Sequence, residues 1–177
     1  MVWIRIGVRG PSAALVAALA VGAGDAAAGP GCDAVSWELL NSEMTKLEAT
    51  AMRVNEKYGE RNVIGSVRCH QSFYDQQKKW RQMLTRMQRD HQALQEQFDA
   101  VVGDWSAIEA DCRQLGQPEN AQLAAENRQA LEEWAGSGLL SGHGGLAQSL
   151  KNLTESVATT DAFFAECEAD GLVTFDK

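Results

Sequence analysis

The chain has 177 residues and a formal net charge of −8, with 24 acidic side chains against 16 basic ones. Such a balance excludes nucleic-acid binding through bulk charge, which needs a basic surface to displace phosphate counterions. The length suits one domain with its own apolar core.

Residues 1–28 are expected to be a cleaved export signal. Arg5 and Arg9 make a basic start, Ser12 to Ala23 is an apolar run, and Ala26 and Ala28 fit the small-x-small pattern of a signal peptidase site. That run is roughly a dozen residues, short of the ~20 that span a bilayer as a helix. A retained N-terminal anchor is the alternative. Residues 29–177 would then form a single helical domain, and loss of Arg5, Arg9 and Asp25 takes the charge to about −9.

Helical periodicity dominates from Asp33 onward. Trp37, Leu40, Met44, Leu47, Ala51, Val54 and Tyr58 recur at spacings of three and four, which predicts a helix over about 34–58 stopped by Gly59. The second helix is expected over about 70–115. Phe73, Gln77, Trp80, Leu84, Met87, His91, Leu94, Phe98, Val101, Trp105, Ile108, Cys112 and Leu115 keep the four-three alternation until Gly116 and Pro118 end it. Gly103 is its weak point, and two outcomes stand: a continuous helix of about 65 Å, or a break there.

A third helix over about 118–135 carries Pro118 near its start, where the missing N–H is not needed, and its apolar pattern is poor and rich in Ala. Residues 136–145 are a glycine-rich connector whose apolar handle is Leu139 and Leu140. The fourth helix, about 146–170, restores the stripe with Leu146, Leu150, Leu153, Val157, Thr160, Phe164 and Cys167, and Gly171 closes it. No strand is expected, since the tail at 172–175 is too short to build a sheet.

Stripes at every 3.5 residues point to an all-α, elongated antiparallel helical bundle with coiled-coil-like heptad packing about a long central helix. Because that helix outruns its neighbours, part of its stripe is expected to need a protein partner or a second copy. Gln77 and His91 are polar residues in the stripe, expected to fix register.

Cys32, Cys69, Cys112 and Cys167 are an even set in an exported chain, and two disulfides are expected. An up-down-up-down order makes the second and fourth helices parallel. That places Cys167 level with Cys112 and pairs them, leaving Cys32 with Cys69. The second pairing strains the topology, because a straight first helix holds those two far apart. Lipidation of Cys32 after Gly31 is the alternative, although Gly29 and Pro30 depart from the usual pattern.

Little of the sequence suggests chemistry. His70, His91 and His143 lack the Glu-x-x-His pairs of metal-binding bundles, so no cofactor and no metal are expected. The stretch SVRCH, Ser66 to His70, is one cysteine short of a haem-attachment motif. Oxidised cysteines are not nucleophiles.

Charge is more informative. Residues 68–92 carry Arg68, Lys78, Lys79, Arg81, Arg86 and Arg89 against Asp75 and Asp90, about +4, whereas the chain from Glu96 onward carries about −11. Lys78, Lys79, Arg81, Arg86 and Arg89, with Leu139 and Leu140, are the candidate partner-binding residues. The expectation preferred for these cations is internal pairing with Glu38, Glu43, Glu48 and Glu56 of the antiparallel first helix, which lie at the right levels.

The expected function is that of an exported, periplasmic or secreted, non-enzymatic interaction protein. It would serve as a scaffold, adaptor or chaperone-like component of a cell-envelope assembly, with peripheral envelope association through its basic stretch. The alternative is a periplasmic small-ligand-binding bundle using the aromatic stripe of Trp37, Trp80, Phe98, Trp105 and Phe164.

Overall fold

The computed structural model describes residues 30–58, 64–136 and 145–176. Among these are four helices and no strand: α1 (Ala34–Tyr58), α2 (Gln71–Gln114), α3 (Pro118–Trp134) and α4 (Leu146–Ala169). The expected signal at 1–28 lies outside the described residues.

Local chemistry sets the helix ends. The Asp33 carboxylate accepts from the Ser36 N–H at 2.9 Å at the start of α1, and that bond lowers the Asp33 pKa. His70 caps α2, its ring nitrogen accepting from the Ser72 N–H. At the other end of α2, Gln117 N–H donates to the Cys112 carbonyl and Gly116 N–H to that of Arg113, a Schellman closure that needs the positive φ of 69° at Gly116. Gly171 closes α4 in the same way, at φ 68°. Gly103 does not interrupt α2, which runs unbroken for 44 residues, about 66 Å.

Each of the other helices packs on α2, and α1 also meets α4. Their directions follow from pairs of touching residues. Trp37 near the start of α1 meets Trp105, with ring centroids 5.2 Å apart, and Tyr58 at its end bonds Asp90. Thus α1 runs opposite to α2 and covers only its C-terminal half. Short α3 folds back over the same half, bringing Arg128 to 3.5 Å from Glu109. Buried Ala121 and Ala124 explain its weak apolar pattern, because small side chains let it approach α2 closely.

The direction of α4 corrects the expected topology. Gln77 of α2 bonds Val157 and Asp161 of α4, and Cys69 bonds Cys167, so α4 runs opposite to α2 rather than parallel to it. The reason is length. At 17 residues α3 spans about 26 Å, less than half of α2, and α4 continues in the same direction down the remainder.

The disulfide pairing changes accordingly. The bridges are Cys32–Cys112, with Cα atoms 5.0 Å apart, and Cys69–Cys167, at 5.7 Å; the expected Cys112–Cys167 and Cys32–Cys69 pairs do not form. Each bridge ties one end of α2 to the helix that passes it. Because its sulfur is bonded to Cys112, Cys32 is not available for lipidation.

Two apolar clusters result. The larger runs along α2 and includes Leu40, Leu47, Met87, Leu94, Trp105, Ile108 and Leu153. The smaller closes the N-terminal end of α2, where Tyr74, Phe164 and Phe175 pack around Cys167. Phe175 stacks on Tyr74 at 4.5 Å, so the tail that was too short for a sheet is instead a plug. Among the described residues no helix is long and apolar enough to cross a membrane.

Candidate functional site

The two halves of α2 are covered differently. Among the described residues its C-terminal half lies under α1 and α3, and its N-terminal half under α4 and an extended segment, Ile64 to Arg68. Lys79, Met83, Arg86 and Asp90 follow at steps of four, three and four residues, so they share one face of the helix. At Asp90 that face meets the end of α1: Lys57 Nζ lies 2.8 Å and Tyr58 Oη 2.7 Å from the carboxylate. One to three turns lower, Lys79 and Arg86 are exposed and Met83 and the neighbouring Trp80 are only half-buried.

The extended segment lies beside this face. Residues 64–67 share a cleft of about 170 Å³ with Phe73, Gln76, Gln77 and Trp80 of α2. Their other side borders a wider groove of about 540 Å³, lined on α4 by Asn152, Glu155, Ser156, Thr159, Thr160 and Phe163. Neither space holds a convergent set of catalytic groups. Among the described residues no three His, Cys, Asp or Glu side chains form a metal-binding group, and all four cysteines are oxidised.

The five candidate cations divide into two groups. Arg81 is engaged by Asp161 of α4 at 2.8 Å, and hydrogen bonding to that carboxylate raises the guanidinium pKa. Lys78 donates to the Asp176 carbonyl, lies 5.1 Å over the Tyr74 ring and is 3.8 Å from Asp75. Arg89 is 3.8 Å from its neighbour Asp90. Lys79 and Arg86 enter no ion pair among the described residues.

Among the described residues none of these cations makes the expected pairing with Glu38, Glu43, Glu48 or Glu56, because α1 ends at the level of Asp90 and runs from there toward the C-terminal end of α2. Glu43 pairs with Lys46 of its own helix, and Glu38, Glu48 and Glu56 enter no ion pair among the described residues. Among the described residues Lys57–Asp90 is the ion pair that joins α1 to α2. There the Lys57 bond dominates in lowering the Asp90 pKa, and the same contact raises that of Lys57.

Gln77 is 1 % exposed, and its amide N–H₂ donates to the Val157 carbonyl at 3.0 Å and to the Asp161 carboxylate, while its own carbonyl oxygen has no partner. His91 is half-buried between Met87 and Leu94. Leu139 and Leu140 lie outside the described residues. Asp161 and Phe175 escaped the sequence reading: nothing in the chain order says that either returns to the start of α2.

No protein-family model, curated protein or solved structure matches the chain.

Proposed function

We propose that this is an exported, non-enzymatic interaction protein, a scaffold, adaptor or chaperone-like component of a cell envelope, that binds a protein through the uncovered face of α2. One observation carries this reading: below Tyr58 the face that α1 occupies continues as Lys79, Met83 and Arg86, and among the described residues no helix lies over it and no acid pairs with either cation. Two disulfides support an oxidising, periplasmic or extracellular setting, where such bonds persist.

The reading treats the helices as an elongated antiparallel bundle with heptad-like packing, in which Gln77 and His91 fix the register at some cost in stability. It needs no cofactor. The small-ligand alternative draws less support, since the aromatic side chains fill their own interior: Trp37 packs on Trp105, and Tyr74, Phe164 and Phe175 on one another.

A pull-down from the native envelope tests the proposal, with the wild-type chain beside K79E/R86E. Recovery of a discrete protein by the wild type and its loss with the variant is expected. Equal recovery by both chains would overturn the assignment of the surface.

A further inference from the structure

We infer that the occupant of this face is a second copy of the chain, docked through the outer side of its α1; this rests on the reading of the face as a protein-binding surface. Three features of α1 fit it to the vacancy. Glu48, Met52 and Glu56 lie at steps of four residues on one exposed side, where Met52 is 59 % exposed, unusual for a large apolar side chain. Neither glutamate enters an ion pair among the described residues, so two unpaired acids flank an apolar centre. On α2 the matching set is Lys79, Met83 and Arg86: two cations that enter no ion pair among the described residues, flanking a half-buried methionine.

Direction and level agree as well. Within a chain α1 runs opposite to α2, so in a pair related by a two-fold axis across α2, the α1 of one copy runs parallel to the α2 of the other. Glu48 then faces Lys79, Met52 faces Met83, and Glu56 faces Arg86, in the same order along both helices. Tyr58 meets Asp90 within each chain, so this register brings the partner's α1 onto α2 where the chain's own α1 stops. Because the axis is two-fold, the contact is made twice and closes without an open end.

The consequence is a charge-dependent dimer, tested by sedimentation velocity on the disulfide-intact chain. The wild type is expected to dimerise, and to weaken as salt rises from about 0.05 to 0.5 M, since exposed pairs are screened over that range. K79E/R86E and E48K/E56K, each placing like charges face to face, should raise the dissociation constant by about 100-fold. An equimolar mixture of the two variants should dimerise again, because each of its contacts pairs opposite charges. All four positions are exposed, and unchanged helicity and thermal midpoint of each variant exclude misfolding.

A wild type that stays monomeric at low salt, variants that dimerise normally, or a mixture that stays monomeric would each overturn the inference. So would loss of binding to anionic vesicles in K79E/R86E, with retention in E48K/E56K, from a wild-type monomer; that result assigns the face to lipid. A monomeric wild type that still recovers a different protein through Lys79 and Arg86 removes the second copy but leaves the binding face in place.

Discussion

Gln77 and Asp161 are bonded across the contact between α2 and α4, and Arg81 grips the same carboxylate one turn along. The amide of Gln77 is buried with its carbonyl oxygen unpartnered, whereas Asp161 serves two donors. The two residues therefore differ sharply in what their loss leaves behind.

Asp161→Ala returns the exposed Arg81 guanidinium to water but leaves one amide proton of buried Gln77 without its acceptor, and is expected to destabilise the fold by about 1–3 kcal/mol. Gln77→Leu removes an acceptor that is already unsatisfied and fills similar volume, so its effect should stay within about 1 kcal/mol of wild type. Urea denaturation of both variants checks the order. A larger loss for Gln77→Leu would contradict it.

The bridges set a second expectation. Cys32–Cys112 and Cys69–Cys167 span 80 and 98 residues, long enough that each removes substantial freedom from the unfolded chain. Replacing either pair by Ala should cost about 4.5 kcal/mol in the loop-entropy model. Peptide mapping without reduction should recover these two linkages; a Cys112–Cys167 peptide would contradict the direction assigned to α4.

Gly103 offers a gain. It lies inside unbroken α2 with nothing within 4 Å of where a Cβ would sit. Gly103→Ala therefore adds no clash and reduces the freedom of the unfolded chain, and should raise stability by about 0.4–1 kcal/mol. Thermal denaturation with no gain or a loss would count against a helical Gly103.

The junction of α1 with α2 gives a pH signature. Asp90 is held below the ordinary carboxylate range chiefly by the Lys57 bond, so its contribution is complete above that range and is lost as pH falls through the lowered value. Lys57 is raised, so its contribution is complete below the ordinary amine value and is lost as pH rises through the raised one. A plateau across neutral pH follows. Asp90→Asn should cost about 1 kcal/mol at pH 7, kept small by the exposure of Lys57, and the difference should shrink as pH falls below the ordinary carboxylate range. A difference that grows in acid would reverse the sign assigned to Asp90.

The helices were legible because their signals are local. Spacing of Leu, Met and aromatic residues gives the stripes, while Gly116, Pro118 and Gly171 mark stops that the backbone then adopts. The direction of α4 was not legible, since nothing local in residues 136–145 says whether the chain turns or continues; it depends on how little of α2 the short α3 covers. The same shift of level hid the partner of Arg81 and left the glutamates of α1 away from the basic stretch. The site was legible in its residue types, as five cations on α2, but their division into Arg81, paired with Asp161, and Lys79 and Arg86, which enter no ion pair among the described residues, required the packing. Ala121 and Ala124 show a further limit, for close helix contact through small side chains leaves a weak apolar pattern.

The most direct test of the binding face is site-specific photo-crosslinking in the native envelope, with the reactive group at Met83 and, as the control, at Ala158 on the exposed side of α4. A discrete protein adduct from position 83 and none from position 158 is the expected result. Adducts of equal yield from both positions, or none from position 83, would contradict the account.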